Sequence, residues 1–169
     1  MKIPAWLPLV LLLTAPISAH SQEPGTATVD LAAIAANAGK GDAQAELALG
    51  LIYEEGAGVD QDDAQARRWF RKAAEQNNGD AQFQLGRALS AGVGSWDTDA
   101  AGNVVWSDPG NVNYAEAYFW LSLAVNNKVA DAAPARDEVA GHLTPAGIAS
   151  AGLRVKHWRE KLAALSLPQ

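Results

Sequence analysis

An internal repeat of 36 residues constrains this chain more than any other feature of its sequence. Leu49-Gly50 returns as Leu85-Gly86. The same offset relates three further pairs of small residues: Ala45 and Ala81, Gly56 and Gly92, Gly58 and Gly94. Repeats of about 20 to 50 residues with helical patterning are typical of stacked helix hairpins, in which each hairpin needs its neighbours to bury its apolar face. The sequence therefore predicts an array of antiparallel helix pairs.

The first copy of the repeat predicts two amphipathic helices separated by glycines. Its first helix opens at Asp42, and Ala45, Leu49 and Tyr53 recur at helical spacing before Gly56 and Gly58 end it. Asp60, Asp62 or Asp63 can then cap the second helix. Its apolar stripe is Ala66, Trp69, Phe70, Ala73 and Ala74, and it returns as Ala117, Trp120, Leu121, Ala124 and Val125.

Two residue types in these helices predict tight packing. Gly50 and Gly86 lie inside predicted helices, where glycine costs about 1 kcal/mol relative to alanine. Their recurrence indicates that a partner helix approaches closely. The alanines of the second helix would allow the same approach, and we expect the Trp69 indole to fill the space between the layers.

The pattern AxxxLGxxYxxGxGVxxDxxxAxxWxxxAA covers residues 45–74 and returns in part in 81–94 and 117–124. It resembles the Sel1-like repeat, a relative of the tetratricopeptide repeat. The resemblance implies an all-α fold, a short α/α solenoid of about three helix hairpins plus an N-terminal helix, over residues 30–165. By analogy with tetratricopeptide positions, the first helix of each pair lines a concave surface for a protein partner, through Gln44, Leu47, Leu51, Glu54, Glu55, Asp80, Phe83 and Arg87.

Outside the repeat pattern, apolar spacing predicts a lone helix from near Asp30 to Ala38. A helix is also expected over 114–126, and a last pair over 131–143 and 144–165. In that pair Thr144 would be the N-cap and Pro145 would occupy the first helical position.

An insertion interrupts the second copy. Trp69 and Trp120 are 51 residues apart, which exceeds the period by 15. The extra length lies in residues 94–113, which are rich in turn-forming residues and predict a surface loop with a short hairpin around 104–106. Trp96 and Trp106 in this loop would anchor a partner or a sugar ring, or would instead cover the end of a helix pair.

The N-terminal segment 1–19 predicts a cleaved export signal, because Lys2 precedes a short apolar run and small residues follow. Cleavage is expected after Ala19 or after Ser21, with an uncleaved membrane tether as the alternative. Residues 20–29 would form a flexible N-terminus. The chain contains no cysteine, which excludes lipid modification of a cysteine and disulfides. We therefore expect a periplasmic or secreted protein whose fold holds through packing alone.

Composition argues against several function classes. Without residues 1–19 the chain carries 12 basic and 19 acidic side chains, a net charge of −7, so nucleic acid is not an expected partner. No histidine stands one helical turn from a second ligand, and the aspartates at 60–63 lack the later ligands of a calcium loop, so we expect neither metal nor cofactor. No Gly-x-Ser-x-Gly is present.

These observations favour a non-catalytic exported scaffold that mediates protein–protein interactions in the cell envelope. The alternative is a module that binds envelope glycan, peptidoglycan or another polysaccharide, through Trp96 and Trp106. A hydrolase that uses Glu54 and Glu55 is a third reading. Adjacent helical residues point about 100° apart, which argues against a joint catalytic role for this pair.

Overall fold

The computed structural model describes residues 30–92, 95–98, 104–107 and 113–165. This part of the chain contains seven helices and one two-stranded antiparallel hairpin. The helices are α1 (Leu31–Ala38), α2 (Ala43–Glu55), α3 (Asp63–Glu75), α4 (Gly79–Ser90), α5 (Tyr114–Asn126), α6 (Ala132–Ala140) and α7 (Pro145–Leu165); the strands are β1 (Ser95–Thr98) and β2 (Val104–Ser107). The predicted all-α solenoid is confirmed. The predicted export signal and flexible N-terminus lie outside the described residues.

Neighbouring helices pack in chain order. α2 lies between α1 and α3, α3 also packs on α4, and α4 packs on α5. Both α6 and α7 pack against α5. The core runs through the middle of this stack, from Leu47 on α2 to Val139 on α6.

Side-chain caps fix where the helices begin. Asp42 Oδ1 accepts hydrogen bonds from the backbone N–H groups of Gln44 and Ala45, both at 2.9 Å. Of the three aspartates that precede the next helix, Asp62 is the N-cap, and its Oδ1 accepts from Gln65 N at 2.9 Å. Because these bonds satisfy N–H groups that a helix leaves unpaired, they explain how short polar stretches set the boundaries.

Helix ends follow the glycine pattern where a left-handed residue is required. α2 ends at Glu55, and Gly56 takes the C-cap position with a φ of 68°, which lies in the left-handed region. α7 begins at Pro145, as predicted. Thr144 acts as its N-cap, because Thr144 Oγ1 accepts a hydrogen bond from Gly147 N at 3.1 Å. α6 ends at Ala140, three residues before the predicted end, where Gly141 takes the C-cap position.

Phe70, and not Trp69, fills the space between the first two layers. Phe70 is buried to 1% exposure and packs on Gly50. Trp69 is only half-buried, and Lys72 Nζ lies 3.9 Å from its ring centroid. The two side chains are neighbours on one apolar stripe, and the one that points at the glycine gap of α2 takes the interior position. The role expected for Trp69 is therefore wrong.

Trp120, the counterpart of Trp69, is buried because α7 covers it. It lies at 3% exposure, 5.5 Å from the ring centroid of Trp158 on α7 and 4.9 Å from that of Phe119. Its Nε1 donates to Glu116 Oε1 at 2.9 Å, and Arg154 Nη2 on α7 contacts Glu116 Oε2 at 2.6 Å. These contacts dock α7 on α5.

A polar pair with a buried acceptor residue and an exposed donor residue recurs with the repeat. Gln76 Nε2 donates to Glu46 Oε2 at 2.7 Å, and Asn127 Nδ2 donates to Gln82 Oε1 at 2.9 Å. The acceptors are 36 residues apart and the donors 51, which are the period without and with the insertion. Burial raises the pKa of Glu46 above its ordinary 4.5, while the hydrogen bond from Gln76 and the charge of Lys72 act in the opposite direction.

The insertion contains a two-stranded hairpin, and the residues 104–106 around which a hairpin was predicted lie in its second strand. β1 and β2 pair antiparallel, with Trp96 opposite Trp106 in the register. β1 lies alongside α3. The exposure of the two indoles lies outside what the structure describes.

None of the helices in the described ranges is long and apolar enough to cross a membrane.

Candidate protein-binding groove

A cavity of about 540 Å³ lies between α2, α4 and α6, the first helices of successive pairs, with α3 along its floor. We call it the central groove. Its size lies within the range of about 300–1,000 Å³ that is typical of ligand pockets. The groove is lined by Glu54 on α2, by Asp63, Ala66, Arg67 and Phe70 on α3, by Phe83, Arg87, Ala88, Ser90 and Ala91 on and after α4, by Tyr114 on α5, and by Asp131, Pro134, Ala135, Glu138, Val139 and His142 on and around α6.

The floor of the groove is apolar. Ala66, Phe70 and Val139 line it and are buried, and Phe83 is half-buried between the groove and the core. Phe83 therefore presents part of a ring to an incoming group while its other side is fixed by packing. A partly exposed aromatic ring on a rigid support is a common anchor point for a protein partner.

Acidic side chains dominate the rim. Glu54 and Asp63 stand at the α2–α3 end, and Asp131 and Glu138 stand at the α6 end. Within the described part of the chain, Glu54, Asp131 and Glu138 have neither a side-chain hydrogen bond nor an ion pair. These three rim carboxylates are therefore available to a partner.

Two arginines, Arg67 on α3 and Arg87 on α4, line the groove. Arg67 is buried at 5% exposure, whereas Arg87 is exposed. Arg87 Nη1 donates to Gln84 Oε1 at 2.9 Å, and its guanidinium carbon lies 5.8 Å from the Phe83 ring centroid. These contacts within α4 hold the Arg87 side chain beside the ring.

A stacked aromatic pair forms another wall. The rings of Tyr114 and His142 are nearly parallel, with centroids 4.2 Å apart and planes inclined by 5°. Tyr114 begins α5 and His142 follows α6, so the pair ties the start of one helix to the end of the next.

The structure brings three of the eight predicted concave residues into the groove: Glu54, Phe83 and Arg87. Leu47 is a correction, since it is buried at 5% exposure in the core cluster. Its expected place on an open surface is wrong because α2 is covered on two sides, by α1 and α3.

The other four predicted residues lie outside the groove lining. Leu51 packs partly buried against the core, and Gln44 Oε1 accepts from Asn78 Nδ2 at 3.2 Å. Glu55 and Asp80 are exposed. Their role as partner contacts remains a prediction.

Sequence reasoning missed the α6 wall. Asp131, Ala135, Glu138 and His142 follow one another at intervals of four, three and four residues, which is the spacing of one helix face. This helical spacing could have indicated that the four residues share one surface. It did not assign them to the groove, because the 36-residue pattern fades before α6.

No group of three or more histidine, aspartate or glutamate side chains that could hold a metal ion occurs within the described ranges. The groove offers an apolar floor, unpaired carboxylates and one exposed guanidinium. This arrangement can recognise a ligand by shape and charge.

Comparison with known proteins identifies the family. The Sel1 repeat model matches residues 41–78, 79–101 and 108–128. No similar protein was found among curated proteins.

Solved structures that are similar to this chain include the following two. One is c5321, described as a protective antigen present in uropathogenic Escherichia coli strains and displaying an SLR fold; it is 25% identical over 82% of this chain, with a TM-score of 0.61. The other is a Sel1 repeat protein from Oxalobacter formigenes, 29% identical over 60% of this chain, with a TM-score of 0.49. This chain spans 28% and 36% of their respective lengths. With three matched repeats and the helix stack described above, the chain belongs to the Sel1 repeat family.

Proposed function

We propose that this protein is an exported, non-catalytic scaffold that binds another protein of the cell envelope in the central groove. Sel1 repeats typically act as protein–protein interaction scaffolds. The observation that carries the proposal is the groove itself, where the half-buried Phe83 ring and unpaired carboxylates meet between the first helices of three units.

One observation supports the exported part of the proposal, namely the apolar segment in residues 1–19, with small residues before the expected cleavage sites. N-terminal sequencing of the protein from its native host tests export, and we expect a mature chain that begins at His20 or Gln22. A chain that retains residues 1–19 would contradict cleavage.

Site-specific photocrosslinking in living cells tests the binding surface. A photoreactive residue in place of Arg87, which is exposed in the groove, should yield a discrete crosslinked product with a partner protein. The matched control is the same residue at Leu153, which is 60% exposed on α7 and outside the groove lining. Crosslinking that is equal at both positions, or confined to Leu153, would rule out the groove as the binding surface.

Glycan binding remains a second candidate because Trp96 and Trp106 are direct cross-strand partners in the hairpin. Titration with soluble peptidoglycan fragments, followed through tryptophan emission, distinguishes it from protein binding. An emission change that is lost in a Trp96→Ala/Trp106→Ala variant would favour the glycan, and unchanged emission would remove this candidate.

A further inference from the structure

We infer that the occupant of the central groove is a basic segment of the partner, with lysine or arginine side chains that alternate with apolar ones. This inference rests on the proposed function, since it names the chemistry of the partner that the groove would bind.

The side chains that line the groove carry more negative than positive charge. The groove is lined by four carboxylates against two guanidinium groups, and one of those guanidinium groups, on Arg67, is buried. Glu54 at one end and Glu138 at the other have no cation within ion-pair distance among the described residues. Unpaired carboxylates on both rims favour a ligand that brings positive charge to each end.

The floor of the groove presents apolar surface to the solvent. Between the two acidic ends lie Phe83 and the small residues Ala88 and Ala135, all of them partly exposed. A purely charged ligand would leave this apolar surface in water. A segment with apolar side chains between its basic ones would cover the floor and place its charges at the rims.

The position of Arg87 explains why the inference requires spaced basic residues. Arg87 is exposed on the α4 wall of the groove, beside the Phe83 ring. A cation placed directly against this guanidinium would be repelled. The basic side chains of the ligand should therefore reach the rims, and the apolar ones should face the centre.

Fluorescence anisotropy with labelled peptides tests this chemistry. The probe is a short peptide in which lysine alternates with leucine, and the reference peptide carries glutamate in place of each lysine. We expect the lysine peptide to bind and a Glu54→Lys/Glu138→Lys variant to weaken that binding about tenfold at physiological salt. Thermal melts of each variant establish that it is folded.

The chain offers a closely matched control. Asp60, before α3, and Glu75, on α3, are exposed carboxylates that lie outside the groove lining. An Asp60→Lys/Glu75→Lys variant changes the net charge by the same amount, so it measures attraction to the acidic protein as a whole. We expect it to bind the lysine peptide within about twofold of the unmodified protein.

The other outcomes separate this inference from the proposed function. Equal weakening in both variants would overturn the inference, because net charge alone would then explain the binding. Binding of the glutamate peptide that is lost in Arg87→Glu would also overturn it, while leaving the groove as a protein-binding surface. Failure of both peptides together with a groove-specific crosslink at Arg87 would reject the basic segment alone, and failure of the crosslink would reject the proposed function.

Discussion

The ring of Phe70 lies directly on the backbone of Gly50, so that a Cβ atom at position 50 would stand 2.5 Å from Cδ1 and Cε1 of that ring. The next unit repeats the relationship, with Leu121 Cγ 2.6 Å from a Cβ at Gly86. Both contacts join the first helix of a pair to the second. They explain why a residue that disfavours helices recurs inside two of them.

Replacement of Gly50 by alanine should therefore destabilise the protein. Alanine favours the helix by about 1 kcal/mol, yet the overlap with Phe70 forces the ring or the helix to move, and we expect a net loss of about 2 kcal/mol. Urea unfolding followed by circular dichroism measures this loss. In a Phe70→Ala background the same replacement should cost much less, because the overlapping ring is absent.

Gly152 provides the control for that experiment. It lies in α7, and no atom is within 4 Å of a Cβ built there. Gly152→Ala should therefore raise stability by about 0.5–1 kcal/mol through helix preference alone. Equal effects at Gly50 and Gly152 would show that close packing is not what requires the glycine in α2.

The Glu46–Gln76 pair predicts a stabilising substitution. Burial raises the pKa of Glu46, so the folded state favours the protonated carboxyl over the charged carboxylate. The stability that the protonated form provides is lost as pH rises through the folded pKa. Glu46→Gln keeps an acceptor for Gln76 and removes the charge. We expect a rise in Tm of about 2–5 °C at pH 7.

The pH dependence checks the cause of that rise. Well below pH 4.5 Glu46 is protonated in both folded and unfolded chains, so the difference in Tm between Glu46→Gln and the unmodified protein should shrink toward zero as the pH falls. A difference that stays constant from pH 7 to pH 4 would mean that the buried charge is not responsible.

The equivalent position in the next unit predicts the opposite response. Gln82 Nε2 donates to Ala74 O and to Asn77 Oδ1, both at 3.2 Å. Gln82→Glu removes both donated bonds and places a carboxylate against two acceptors, so we expect a loss of about 3 kcal/mol at pH 7 in urea unfolding. A loss below about 1 kcal/mol would indicate that this network does not hold the helices together.

Docking of α7 depends on the shape of Trp158 more than on its N–H group. Trp158 packs edge-on against Phe119 and Trp120, and its buried Nε1 has no acceptor among the described residues. Trp158→Phe should cost less than about 1 kcal/mol, whereas Trp158→Ala should cost about 2–3 kcal/mol. If the two variants lost similar amounts of free energy of unfolding, the stabilisation would come from a polar contact of the Trp158 N–H group and not from the shape of the ring.

Much of the fold could be predicted because each repeat carries local signals. Asp42 and Asp62 cap helices, Gly56 ends one, and the 36-residue period indicates stacked pairs. Which of two adjacent aromatic residues fills the interior could not be predicted. Trp69 and Phe70 share one stripe, and the choice depends on where Gly50 opens a gap in the facing helix.

The groove was predictable only in part. Phe83 and Arg87 follow from the repeat because α4 preserves it, whereas Glu138 and His142 belong to a unit whose pattern has faded. Leu47 was placed on the open surface by analogy. Its burial depends on how neighbouring helices cover α2, which one helix's spacing does not reveal.

The most direct measurement of the central claim is NMR chemical-shift mapping of the ¹⁵N-labelled protein with the crosslinked partner, purified after its identification. We predict shifts concentrated at groove residues on α4 and α6, such as Phe83, Ala88 and Val139, with little change at Leu153 on α7. Shifts confined to the outer face of α7, with α4 and α6 unchanged, would contradict a scaffold that binds its partner in the central groove.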